Sequence, residues 1–255
     1  MQPKTITSID NAKIKQLKKL QLKKYRKDMN KFVVENLAII QDALTAGIQF
    51  EDLFLTEKFT QDHQQALDHL SKKAGIKSYY EMDDKINRTF SKLDSPSGIA
   101  AIYKMTPRDL VSGKSVVYLN GINDPGNLGT IFRSALAFGF INIVVDSECV
   151  DIYNAKVINA AKDSIFKLNI IKDEIGEWLK SSDLPIYATS SHKGMSAKEF
   201  SPKKPFCLVF GSEAHGVSKD ILKMSKKNIK IDIAKDIESL NVASAASILF
   251  YELSK

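Results

Sequence analysis

Three polar segments in the second half of the chain hold the residues best suited to chemistry. They are residues 123–133, with Asn127 and Arg133; residues 210–218, with Glu213 and His215; and residues 238–246, with Ser239 and Asn241. Each contains glycine or serine, and each runs out of an apolar strand or into an apolar helix. Loops at strand ends are where α/β proteins build their sites. Three of them in one half of a chain point to one composite site. The types on offer are amides, a hydroxyl, a guanidinium and a carboxylate that can hold a ligand, with glycines that let it approach backbone amides closely.

In the first loop Pro125-Gly126 makes a turn, and a helix is expected from about Leu128 with Asn127 placed to cap it. Arg133 lies six residues further on, under two helical turns, so both side chains reach the mouth of the site. In the second loop Gly211 and Gly216 bracket Glu213 and His215. Glu213 suits the N-terminal side of a helix expected from Ser218, and His215 reads as structural or surface. In the third, Ser239 is expected to cap a C-terminal helix that Ala243, Ala245 and Ala246 keep thin enough for close packing on another helix. The chain has neither G-x-G-x-x-G nor G-K-[ST], which argues against dinucleotide and P-loop chemistry. Cys149 and Cys207 read as buried core thiols, and neither they nor His63, His69, His192 and His215 have metal-ligand spacing.

The elements that must position these loops alternate. Near-continuous apolar strands are expected at 115–120, 141–145, 166–170, 185–188, 206–210 and 228–231, with helices between most of them and a last helix over 239–253. That pattern argues for a parallel sheet buried on both faces. Upstream, strands at 32–34, 53–55, 76–80 and 98–103 alternate with helices at 37–44, 61–73 and 82–90. Residues 105–113 read as a linker, so the 255 residues fit two domains, 1–105 and 106–255. Residues 1–35 carry ten Lys/Arg and three acids, which equals the whole net charge of +7 and leaves the rest neutral. Ile14, Leu17 and Leu20 predict an amphipathic helix over 8–28, capped by Ser8 or Asp10 and docked by its apolar stripe. A basic arm on a neutral body is the footprint of a polyanion partner. The polar N-terminus at 1–5, the lack of any apolar run near ~20 residues and the sparse cysteines predict a cytoplasmic protein without a membrane span.

Taken together, D-P-x-N-x-G-x-x-x-R in the first segment, G-S-E-x-x-G in the second and S-L-N-V-A in the third resemble, in order and spacing, the motifs of the SpoU (TrmH-like) branch of the SPOUT RNA methyltransferases. Residues 5–103, with K-F-V-V-E at 31–35, look like the L30e-like substrate-binding domain that precedes the catalytic domain in many members. The resemblance implies an α/β chain whose C-terminal parallel-sheet domain carries a trefoil knot, an exception to the rule against threaded folds. It implies S-adenosylmethionine as methyl donor with no metal, a homodimer, and methyl transfer to a ribose 2′-hydroxyl of RNA. By motif position it assigns catalysis to Asn127, Arg133, Glu213, Ser239 and Asn241, and donor binding to the backbone around Gly211, Ile231 and Leu240 with Thr189. Where many members have glycine after the acid of K-F-V-V-E, this chain has Asn36. The separate domain and basic arm rank ribosomal RNA above transfer RNA. A non-catalytic RNA-binding protein on this fold and a SPOUT enzyme acting on a base nitrogen are the competing readings.

Overall fold

In the computed structural model, which describes residues 2–75 and 77–254, the chain divides into two units. The first runs to Thr106 and takes in Tyr153–Asn159; the second holds the remainder.

The first unit follows its apolar pattern. β1 (Gln2–Thr5), α1 (Ala12–Leu20), α2 (Lys23–Met29), β2 (Lys31–Val34), α3 (Leu37–Thr45), β3 (Asp52–Thr56), α4 (Glu57–Asp62), α5 (Gln64–Ala74), β4 (Ser78–Met82), α6 (Asp84–Arg88) and β5 (Ile99–Lys104) follow in order. The strands form one sheet, β1-β4-β3-β5-β2, parallel on the β1 side and antiparallel around β5. Ile14, Leu17 and Leu20 are buried against it with Phe54, Phe90 and Ile102. The single helix expected over 8–28 is two helices, and the cap of α1 is Asn11, which accepts from Lys13 N at 2.9 Å, rather than Ser8 or Asp10. The apolar stripe ends at Leu20, so nothing holds the next turn inward: Leu22 is exposed, and the buried Arg26 donates to the Leu20 carbonyl at 2.9 Å, satisfying the end of α1. Asn36 caps α3 through Ile39 N. The strand expected from 76 starts at Ser78; Ile76 lies outside the described residues.

In the second unit β6 (Val116–Asn120), α7 (Pro125–Ala137), β7 (Asn142–Asp146), α8 (Ala155–Ala161, its first part counted with the first unit), α9 (Ser164–Lys167), β8 (Asn169–Asp173), α10 (Glu177–Ser181), β9 (Ile186–Thr189), β10 (Met195–Ser196), β11 (Cys207–Gly211), α11 (Lys219–Met224), β12 (Lys227–Lys230) and α12 (Val242–Ser254) build a wholly parallel sheet. Its order, β10-β12-β9-β11-β6-β7-β8, inserts β11 between β6 and β9. The expected strand at 166–170 is displaced: 164–167 is helical, its Ser164 hydroxyl bonded to the Ala161 carbonyl at 2.6 Å, and pairing starts at Asn169. Both cysteines are free and buried. Burial pushes the Cys149 thiol up to about 12. Among the described residues no helix is long and apolar enough to cross a membrane.

Candidate active site

The three loops leave the sheet at its carboxyl edge and converge. After β6 the chain turns at Gly121, in the left-handed region, and enters α7 through Pro125. The cap of α7 is Asp124, whose carboxylate accepts from Asn127 N at 2.7 Å, so the helix begins earlier than expected and the Asn127 side chain is not its cap. That amide turns instead toward the third loop. Asn241 Nδ2 donates to Asn127 Oδ1 at 2.9 Å and to Glu213 Oε1 at 2.6 Å. Asn241 Oδ1 accepts from Ala243 N at 2.9 Å and Ser244 N at 3.2 Å. Asn241, not Ser239, therefore caps α12, and one amide joins one residue from each of the three segments.

The second loop is shaped by its glycines. Ser212 and Gly216 form a bridge, Gly216 N donates to the Ser212 carbonyl at 2.8 Å, and Gly216 has φ +65°. A Cβ on Gly211 would stand 2.0 Å from the Gly216 carbonyl carbon, so the strand end is closed to every residue but glycine. Beside it, the ends of β9, β11 and β12 open into a cleft of about 430 Å³, within the usual range for small-ligand sites. Thr189, Gly211, Glu213, Ile231, Ser239 and Leu240 all line it. Asn127 and Asn241 stand behind its wall, tied to it through Glu213. Arg133 is exposed on α7, does not line the cleft, and makes no hydrogen bond or ion pair among the described residues. His215 is exposed at the cleft wall. No group of three or more His, Cys, Asp or Glu is placed to hold a metal among the described residues.

The pattern of the SpoU rRNA methylase family matches residues 114–251, the stretch that carries all three loops. The chain belongs to this family. The MRM3-like substrate-binding domain matches residues 11–101. RlmP of Bacillus subtilis (strain 168), a 23S rRNA (guanosine(2553)-2′-O)-methyltransferase, is 30% identical over 254 residues, 98% of this chain and 99% of its own. A solved RNA 2′-O ribose methyltransferase superimposes with a TM-score of 0.80 at 29% identity, covering 98% of this chain and 97% of that one. The AdoMet-bound rRNA methyltransferase of Sinorhizobium meliloti gives 0.82 at 25% identity, covering 99% and 97%.

Beside these SpoU motifs the structure adds two residues that the sequence reading passed over. Asn120 Nδ2 donates to Asp146 Oδ2 at 2.6 Å, and Asn120 Oδ1 accepts from Ser218 N at 2.8 Å. Asp146 Oδ1 also accepts from Gly121 N at 3.1 Å. Together they pin the first loop to β7 and to the exit of the second. Their signal in the sequence is a polar residue closing each apolar strand, a common pattern that does not separate a loop anchor from a solvated strand end.

Proposed function

We propose that this chain is an S-adenosylmethionine-dependent RNA methyltransferase that modifies a ribose 2′-hydroxyl, on ribosomal RNA before transfer RNA, as a cytoplasmic homodimer. The observation that carries the reading is the Asn241 amide, which bonds at once to Asn127 and Glu213 and so binds the three family motifs into one wall. We assign RNA recognition to residues 1–105 and catalysis to residues 106–255. The relatives' rRNA substrates and the AdoMet bound by one neighbour support the choice of substrate and donor.

The cleft fits the donor. It lies at the carboxyl ends of parallel strands, where such sheets take nucleotide-like ligands, and Gly211 lets the backbone close around it. Thr189, Gly211, Ile231 and Leu240 would hold the donor, largely through backbone groups. Its sulfonium supplies a methyl that is already electrophilic. What remains for the protein is to place the 2′-oxygen in line and remove its proton. Arg133, exposed and without a hydrogen bond or ion pair among the described residues, is placed to bind a substrate phosphate and donate to the hydroxyl. A guanidinium does not give up its proton near neutrality, so Arg133 orients the hydroxyl and an RNA phosphate oxygen receives the proton. Ser239, exposed at the cleft wall, positions the ribose, while Glu213, Asn127 and Asn241 fix the wall against which it is held. The new bond forms between the 2′-oxygen and the methyl carbon as the carbon–sulfur bond breaks. Exposed Ile248 and Tyr251 on α12 give the dimer an apolar contact that brings a second chain to complete the site. Arg133→Ala should abolish turnover while donor binding persists; measurable 2′-O-methylation by that variant overturns the role of Arg133.

A further inference from the structure

The first unit contains a second cavity, far in sequence from the three loops. It has about 260 Å³, below the ~300 Å³ at which drug-sized pockets begin, and so has room for a single ring system. Thr56, Phe59, His63, Asn87, Arg88 and Gly98 line it. Two rings are among its lining: the His63 ring stacks on Phe59 with centroids 4.1 Å apart and planes within 9°. Phe59 is buried and His63 is exposed, so one face of the imidazole is left for a further ring. Gly98 has φ +75°, and a Cβ there would lie 2.8 Å from Thr56 Oγ1 and 3.0 Å from Phe59 Cβ, so glycine keeps this wall in place.

Asn87 is the telling residue. It is 2% exposed, yet its side chain makes no hydrogen bond among the described residues. The side-chain atoms fully enclosed without a hydrogen bond among the described residues do not include those of Asn87, so its amide keeps an opening, and Asn87 lines the cavity. Lys58 and Arg88 also stand at this cavity and make no ion pair among the described residues, while Asp62 and Asp84 share its walls. Two carboxylates beside two cations disfavour a bare anion and suit an uncharged ring that brings N–H donors.

We propose that this pocket takes one unstacked nucleobase of the RNA substrate, with His63 as stacking platform and the Asn87 amide bonding to the base edge. Proteins read single-stranded RNA by such stacking combined with hydrogen bonds to base edges. The inference rests on the RNA reading above and adds to it a contact that selects the target by an extruded base.

The test is ultraviolet crosslinking of the full-length protein to total RNA from cells lacking the gene, with RNA and donor affinities measured for the parent, His63→Ala and Asn87→Ala. Crosslinked nucleotide is expected on the peptide carrying Phe59 and His63. Each variant should bind RNA about tenfold more weakly and bind donor as the parent does. Asn87→Ala should melt near the parent, because the amide it removes bonds to no group among the described residues. Variants that bind RNA within about twofold of the parent, or an Asn87→Ala that melts lower while His63→Ala is unaffected, overturn the proposal. A parent that neither binds nor methylates RNA overturns the RNA reading together with the pocket.

Discussion

At the residue scale Asn241 joins the three loops, and its amide works in two directions. Its oxygen caps α12 and its nitrogen holds Asn127 and Glu213. The two jobs separate by substitution. Asn241→Ala loses both, and should cost about 1 kcal/mol of stability for the cap and at least about a hundredfold in turnover. Asn241→Asp keeps the acceptor but places a carboxylate against Glu213, so a thermal melt should stay near the parent while methyl transfer still collapses. Near-parent turnover by Asn241→Asp contradicts the bridging role. A further expectation concerns Glu35, whose carboxyl burial pushes above its ordinary range, only partly offset by the hydrogen bonds it receives. Its stabilising contribution is full below the ordinary carboxyl pKa and is lost as pH rises through the raised value. Glu35→Gln should therefore raise the melting temperature at pH 7 by a few degrees, the size expected of about 1 kcal/mol. That gain should vanish below about pH 4. An equal gain at both pH values would contradict a charge effect. The sequence showed which residue types gather in the loops but not which of them cap. Asp124, Asn127, Ser239 and Asn241 are all good caps by type, and the turn of the backbone decides between neighbours.

At the scale of elements, apolar spacing was a reliable guide wherever one face is buried. Ile14, Leu17 and Leu20 are buried as expected, and five of the six expected strands of the parallel sheet fall within a residue of their apolar runs, while the two-residue β10 was not expected. The exceptions have physical reasons. Residues 164–168 are too short a run to fix a period, and a side-chain bond from Ser164 winds them into a turn of helix. The break between α1 and α2 carries no Gly or Pro to announce it. β1 is an exposed edge strand without an apolar signal. The break has a consequence for charge. Lys18 and Lys19 end α1, Lys23 and Lys24 begin α2, and none of the four has an ion pair among the described residues. The first turn of a helix favours acids, so Lys23 and Lys24 are not there for the helix. Lys19 Nζ stands over the Tyr25 ring at 5.5 Å from its centroid and Lys24 Nζ at 5.9 Å. Changing the four lysines to glutamine should lower the slope of log affinity for RNA against log salt by up to about 3. An unchanged slope would remove this corner from the RNA interface.

At the scale of the molecule, the two cavities fall in different units, the larger cleft in the second and the smaller pocket in the first, as the proposed division between RNA recognition and methyl transfer requires. Assembly is the part least legible in the chain, because thin alanine-rich helices also serve ordinary cores, and the signal on α12 is limited to the exposed Ile248 and to Tyr251, which is exposed while its ring meets Phe138 edge-on. Sedimentation should give twice the chain mass of 28.5 kDa. Ile248→Asp should shift that to the monomer and lower turnover with it, whereas an active monomer would contradict a shared site. Ribose methylation of RNA by this chain is read out by transfer of tritium from labelled S-adenosylmethionine to total RNA from cells lacking the gene, followed by digestion to nucleosides. Label is expected in a 2′-O-methylnucleoside, recovered from the ribosomal fraction. Label on a base, or none at all from a protein that binds the donor, would contradict it.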